Sequence, residues 1–318
     1  MRRYPHAWAA GLLCAAGLLA CEQPLIGPER KAPFAFPYDS LNGTLYLAYV
    51  DDTKSPRQSV GMLAYAENRL SLLIEAPERA YLRRDSRLML AKDASVGDSV
   101  YYQYYRFFPD MESYIPDNQL YEGIPVGITG IDSLHALSWR WRTDSSGQRF
   151  EVRWLIHDLS RFQTHLRQAV TLPAGSSLGY EALGGSVVFP DGLRLLLRTD
   201  DRYLICDGTS AEEITLEGGN PLAQHALSID PAGRTLAYTE YFGPSVRFRD
   251  LENGAEISYE LPEGSFFRAS AWAPSGEPRV LLAGDSGLLE VHTTGKSLPR
   301  MVFPSGSGIT FWNLSWNP

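Results

Sequence analysis

The 318-residue chain is poor in cysteine. Cys14, Cys21 and Cys206 stand in no ligand-like or redox-like spacing, which excludes a disulfide-stapled scaffold and a cysteine-built metal centre. It also lacks a long apolar run. The longest, AAGLLCAAGLLA over residues 9–20, falls short of the roughly 20 residues that a spanning helix needs. Basic residues are in deficit, 29 Lys+Arg against 37 Asp+Glu, for a net charge of -8. That balance excludes a nucleic-acid binder, which needs a basic face to neutralise phosphates. The histidines beyond the leader are His135, His157, His165, His225 and His292. No two are spaced i, i+4 and there is no H-E-x-x-H, so no zinc spacing exists. A D-x-[DN]-x-[DN]-G calcium loop, a Trp-Asp dipeptide and an S-x-D-x-G-x-x-W box are absent as well. The sequence therefore assigns no catalytic residue, no metal site and no cofactor.

What is present points to β structure. There are 28 Gly, 21 Pro, 17 Tyr and 7 Trp, a composition rich in turn formers and in strand-favouring aromatics. The chain is 44% hydrophobic and 21% charged, which is ordinary for a folded protein and wrong for a disordered one.

The first 20 residues read as an address. Arg2 and Arg3 precede the short apolar run, which is the right length for a secretory h-region. The run ends in Leu18, Leu19, Ala20 and Cys21, which resembles the lipobox of bacterial lipoproteins. Cys14 fails the same test, because Gly11 and Leu13 occupy its -3 and -1 positions. The resemblance implies that Cys21 becomes the lipid-bearing first residue, with the membrane as a partner through that lipid. Cleavage there removes two Arg and no acid, so the charge moves from -8 to -10. Residues 21–40 carry Pro24, Pro28, Pro33 and Pro37, a spacing that favours extended polyproline geometry. At about 3.1 Å per residue, such a tether reaches on the order of 60 Å. Residues 41–318 form the folded domain.

That domain repeats. Residues 186–192 (SVVFPDG), 227–233 (LSIDPAG) and 271–276 (AWAPSG) each join two apolar runs through a Pro-x-Gly turn. Pro190, Pro231 and Pro274 are 41 and 43 residues apart. A fourth copy starts at LSWNP over 314–318, and NGTLYLAYV over 42–50 supplies its continuation. The two termini are therefore expected to share one blade, a closure that removes exposed sheet edges. Second strands are expected to begin near 44, 87, 134, 193, 235 and 278. Six starts give an all-β fold, a six-bladed β-propeller. Seven blades is the alternative, because the 59-residue gap after 134 has room for a degenerate blade. Within that gap, residues 160–183 read as one outer strand and a long loop. The repeat resembles the TolB-like and WD40-like propellers. Together with the lipobox, the chain is similar to TolB-like six-bladed propeller lipoproteins of Gram-negative bacteria. The match is good over the last three repeats and thinner over 40–180.

Several residues stand out against this frame. Gly175, Ser177 and Gly179 match G-x-S-x-G, but no strand-to-helix elbow surrounds them, and a Gly/Ser loop is expected. The carboxylate pairs Asp51–Asp52 and Asp200–Asp201 fall in hairpin turns. His135, His157 and His292 are expected on outward faces of strands, and Cys206 in the core. Lactonase-like six-bladed enzymes hold calcium with Glu, Asn and Asp, and Asn313 is the one Asn in an expected inner strand. Inner-strand starts offer His225, Arg268, Trp312 and Asn313 to the channel mouth, with Tyr241 and Phe242 on an adjacent turn. Arg268 has the chemistry to receive an anion. The aromatic segment 101–121 adds Tyr114 and Tyr121 as loop residues suited to glycan or protein contact. The expected function is a lipid-anchored cell-envelope propeller, on the periplasmic face of the outer membrane or the cell surface. It binds a protein or glycan partner without chemistry of its own. The rival readings are a glycan-active lyase, hydrolase or lactonase-like enzyme at the channel mouth, and a structural subunit of an envelope or uptake complex.

Overall fold

The computed structural model describes residues 44–51, 58–64, 69–74, 79–82, 88–93, 100–108, 113–145, 147–218, 221–240, 243–274, 276–294, 298–304 and 309–317. Cys21 and the expected tether lie outside them.

Strands dominate. Sheet 1 begins with β1 (Thr44–Asp51), β2 (Gln58–Ala64) and β3 (Arg69–Ile74). Sheet 2 holds β4 (Arg79–Leu82), β5 (Leu88–Asp93), β6 (Tyr101–Phe108) and β7 (Ser113–Glu122). Sheet 3 holds β8 (Ile124–Thr129), β9 (Ser133–Asp144), β10 (Gly147–Asp158) and β11 (Gln163–Thr171). A one-turn helix, α1 (Tyr180–Gly184), leads into sheet 4. That sheet holds β12 (Val187–Val188), β13 (Leu195–Arg198), β14 (Tyr203–Cys206) and β15 (Ala211–Ile214). Sheet 5 holds β16 (Gln224–Ile229), β17 (Thr235–Glu240), β18 (Ser245–Asp250) and β19 (Glu256–Glu260). Sheet 6 holds β20 (Phe267–Trp272), β21 (Arg279–Gly284), β22 (Gly287–His292) and β23 (Arg300–Pro304). The last strand, β24 (Ile309–Asn317), returns to sheet 1 and pairs with β1 from Thr44↔Asn317 to Asp51↔Ile309.

The described residues thus form six sheets of four antiparallel strands. The second strands start at 44, 88, 133, 195, 235 and 279, within two residues of the six expected starts. The two termini share sheet 1, as the split repeat requires. First strands touch their neighbours in the cycle β4, β8, β12, β16, β20, β24 and back to β4. The result is an all-β propeller.

Its legibility comes from burial. Second strands are covered on both faces: β13, β17 and β21 are buried along nearly their whole length. They read as continuous apolar runs for that reason. Outer strands β11, β15 and β19 are mostly exposed and carry Arg, Glu and Gln, which discourages edge-to-edge pairing. The core lies between consecutive sheets. Leu45, Leu281, Leu314 and Trp316 join sheets 6 and 1, and Phe248, Trp272 and Leu282 join sheets 5 and 6.

The Pro-x-Gly turns fold alike. The amides of Gly192, Gly233 and Gly276 donate to the carbonyls of Phe189, Asp230 and Ala273, at 2.9, 2.8 and 3.3 Å. All three glycines hold φ between 70 and 73°, a region costly for residues with a Cβ. Proline presets the first turn position and glycine closes it.

Three readings need correction. Residues 160–183 do contain one outer strand and a loop, but the loop ends in helix α1. Segment 113–122 is a strand, not a loop, because Tyr121 pairs with Tyr102 across β6 and β7. His135 and His157 are 1% and 0% exposed rather than outward-facing. Both sit on the face of β9 and β10 turned toward neighbouring side chains, and hydrogen bonds satisfy both ring nitrogens there.

Candidate functional site

Four of the first strands contain an extra residue near their starting ends. The register skips Val126 in β8, one residue between His225 and Ser228 in β16, Arg268 in β20 and Trp312 in β24. Such bulges twist a strand and re-aim its side chains, and they cluster at barrel rims and beside sites. In β16 the bulge places Ala226 at φ 51°, a strained conformation for a residue with a Cβ. Neighbouring chain holds it there: Ser270 Oγ donates to the Ala226 carbonyl, and Thr239 Oγ1 to that of His225 at 3.4 Å. Trp272 Nε1 reaches the Ser228 carbonyl at 3.3 Å, so β16 and β20 run alongside in the same direction. His225 and Arg268 therefore lie at one common end, the mouth.

The mouth brings together residues from three sheets. The His225 ring stands edge-on to Phe266, with centroids 5.3 Å apart. The Arg268 guanidinium lies over the same Phe266 ring, 4.8 Å from its centroid. The Arg268 guanidinium donates twice to Asp285, from Nε at 3.0 Å and from Nη2 at 2.9 Å. The anion expected at Arg268 is thus supplied by its own sheet, from the turn between β21 and β22.

A second cation that sequence reading missed is Arg198, at the end of β13. Its side chain belongs to a residue only 5% exposed, and its amide donates to Ser186 Oγ at 2.9 Å. Glu181 of α1 acts on Arg198 and on His225, so the four groups form one electrostatic cluster. Burial depresses the His225 pKa below the ordinary imidazole range, the Arg198 and Arg268 charges add to this, and Glu181 opposes it. His225 is consequently a neutral imidazole at pH 7. Arg198 was illegible because it closes an apolar run, LRLLLR, whose alternation gives no sign of a mouth-facing end.

Other expected residues are placed as follows. Trp312 and Asn313 lie in β24, Trp312 at the bulge. Tyr241 and Phe242 fall outside the described residues. Tyr114 lies in β7 opposite Phe107. Tyr121 is 3% exposed, edge-on to Tyr104 at 5.2 Å and to His157 at 5.0 Å. It is packing between sheets 2 and 3 and not a contact surface. Ser177 donates to Asp200 Oδ2 at 2.6 Å and the Gly179 amide to Asp200 Oδ1 at 2.8 Å, with no imidazole between serine and carboxylate. The G-x-S-x-G segment is therefore a loop tied to the β13–β14 turn. Burial pushes the Cys206 thiol up to about 12, aided by Asp207, which makes it inert. Among the described residues, no cluster of three or more His, Cys, Asp or Glu could hold a metal ion. No helix among them is long and apolar enough to cross a membrane.

No family model and no curated protein matches this chain. Solved structures do. A chain of the nidogen–laminin complex superposes with a TM-score of 0.54 at 11% identity, over 86% of this chain and 98% of that one. A candidate 6-phosphogluconolactonase from Bacteroides fragilis gives 0.48 at 11% identity, covering 86% and 97%. A chain of the mitotic checkpoint complex gives 0.47 at 14%, covering 90% and 96%. At such identities the likeness concerns the fold alone, and the superposition on the nidogen–laminin chain agrees with the propeller built above.

Proposed function

We propose that this protein is a TolB-like, six-bladed propeller lipoprotein of the cell envelope. In this reading Cys21 carries the lipid, residues 21–40 are the tether, and the mouth of the ring binds a protein or glycan partner. The observation that carries the binding part is the convergence of Arg198, His225, Phe266 and Arg268 from three different sheets at one end. A ring needs no such polar gathering for stability, and bulged, strained backbone is retained beside it. The anchor is tested by fractionation. Cys21→Ser protein should leave the membrane fraction for the soluble one, and retention of the variant on membranes would defeat the lipoprotein reading.

A second reading has one observation in its favour. Glu181 and the neutral His225 share the mouth, so two acid/base groups do converge there, the minimum for a glycan lyase or hydrolase. Turnover of an envelope polysaccharide that vanishes in His225→Asn protein, while binding persists, would move the assignment to an enzyme.

A further inference from the structure

We propose that the junction of sheets 4 and 5 at the mouth is an oxyanion-binding site, with Arg198 as its cation and Gly185 as its floor. The inference rests on the mouth reading above and narrows the ligand to one that carries a carboxylate or phosphate group.

Arg198 is nine-tenths buried, yet its Nε has no hydrogen-bond partner among the described residues. A buried guanidinium is costly unless a carboxylate meets it, ordinarily with two parallel hydrogen bonds. Arg268 has that arrangement with Asp285. Arg198 does not, although Asp200 is only two residues away. The Asp200 carboxylate is turned to Ser177 and to the Gly179 amide instead. Glu181 acts on Arg198 from α1, but its side chain is exposed to solvent. The fold thus turns the carboxylate closest in sequence toward Ser177 and Gly179 and leaves the buried Nε donor to be met by a ligand.

Gly185 makes the room. Its φ is -87°, which any residue adopts, so backbone conformation does not require glycine there. A Cβ at 185 would press on Arg198 Nη1 and stand 3.1 Å from its Cδ. Glycine is needed because the guanidinium lies against it. His225 completes the site on the sheet 5 side. As a neutral imidazole it offers one donor and one acceptor beside the cation, and it does not neutralise an incoming anion.

The test is calorimetric titration of the purified full chain with inorganic phosphate and, separately, with glucuronate. Binding of either supports the proposal, and which one binds identifies the phosphate or carboxylate source. Arg198→Gln should weaken that binding about tenfold or more, the loss expected for charge-assisted hydrogen bonds. Gly185→Ala should weaken it comparably although no charge changes. Arg161→Gln, at the exposed pair with Asp158 in the β10–β11 turn of sheet 3, should change it by less than about threefold. The bound anion should also raise the titration midpoint of His225 seen by NMR. Should Arg198→Gln fail to fold, Gly185→Ala decides. Folded wild-type chain that binds neither anion overturns the proposal, as does binding that survives both the 198 and 185 substitutions. A chain that captures an envelope partner but ignores both anions defeats this inference alone. One that binds an anion but never captures a partner defeats the partner reading alone.

Discussion

His135 and His157 are each locked in one tautomer by what surrounds them. Trp154 Nε1 can only donate, and it meets His135 Nδ1 at 3.1 Å, so the His135 proton sits on Nε2 and points at Thr129 Oγ1, 2.7 Å away. His157 Nε2 faces the Glu122 carbonyl at 2.9 Å and must carry the proton, leaving Nδ1 to accept from Thr164 at 2.8 Å. Protonation would set a second N–H against the Trp154 donor. Burial first, then the charges of His157 and Arg167, lowers His135 to about 4, and burial lowers His157 to about 4 against an opposing bond from Glu122. The sign follows from linkage. Below pH 6.5 the unfolded chain takes up protons that the folded one refuses until near pH 4. Stability is therefore full above 6.5 and falls through that window, by on the order of 3 kcal/mol for one such group. Denaturant titrations at pH 7 and 4.5 should show this loss, and His157→Asn should shrink it. Cys206 gives a second check: the native thiol should resist alkylation at pH 8 and react once the chain unfolds.

At the scale of the element, turns and bulges were unequally legible. The Pro-x-Gly turns were visible because proline and a left-handed glycine are chemical necessities at those positions. Gly233→Ala should cost roughly 1–2 kcal/mol, since alanine at φ 71° is strained and its Cβ would lie 3.0 Å from Arg194 Nη2. Chemical denaturation of the folded variant measures it. The bulges were not visible. An extra residue at Arg268 or Trp312 leaves the apolar pattern of its strand intact, and the register is set by the partner strand. The same limit hid the committed state of Arg268. Its residue type suggested an anion receptor, but the bidentate Asp285 sits 17 residues away in a turn that only the folded sheet brings near. Tyr121 shows the converse. Its surroundings in sequence, PDNQLY, look like a loop, and only pairing with Tyr102 makes it core.

For the whole molecule, the fold was readable because a ring of repeats is a one-dimensional pattern closed once. The split repeat at the two termini announced the pairing of β1 with β24. Trp316 lies at that seam, buried among Leu45, Leu47 and Leu281, with Arg279 5.1 Å from its ring centroid. Trp316→Ala should lower stability by about 3–5 kcal/mol, the usual loss for a large core aromatic, read as a shift in denaturation midpoint. Function was much less readable, because a propeller is a scaffold and its sites are set by a few side chains at one end. The claim that this end receives a partner is tested most directly by photo-crosslinking in the envelope. Leu222 is exposed beside the start of β16, and Leu193 is exposed in the turn at the opposite end of its sheet. A photoreactive residue at 222 should yield a discrete covalent adduct, lost in Arg198→Gln protein, and one at 193 should yield none. Adducts from 193 alone, or adducts from 222 indifferent to Arg198, would contradict the account.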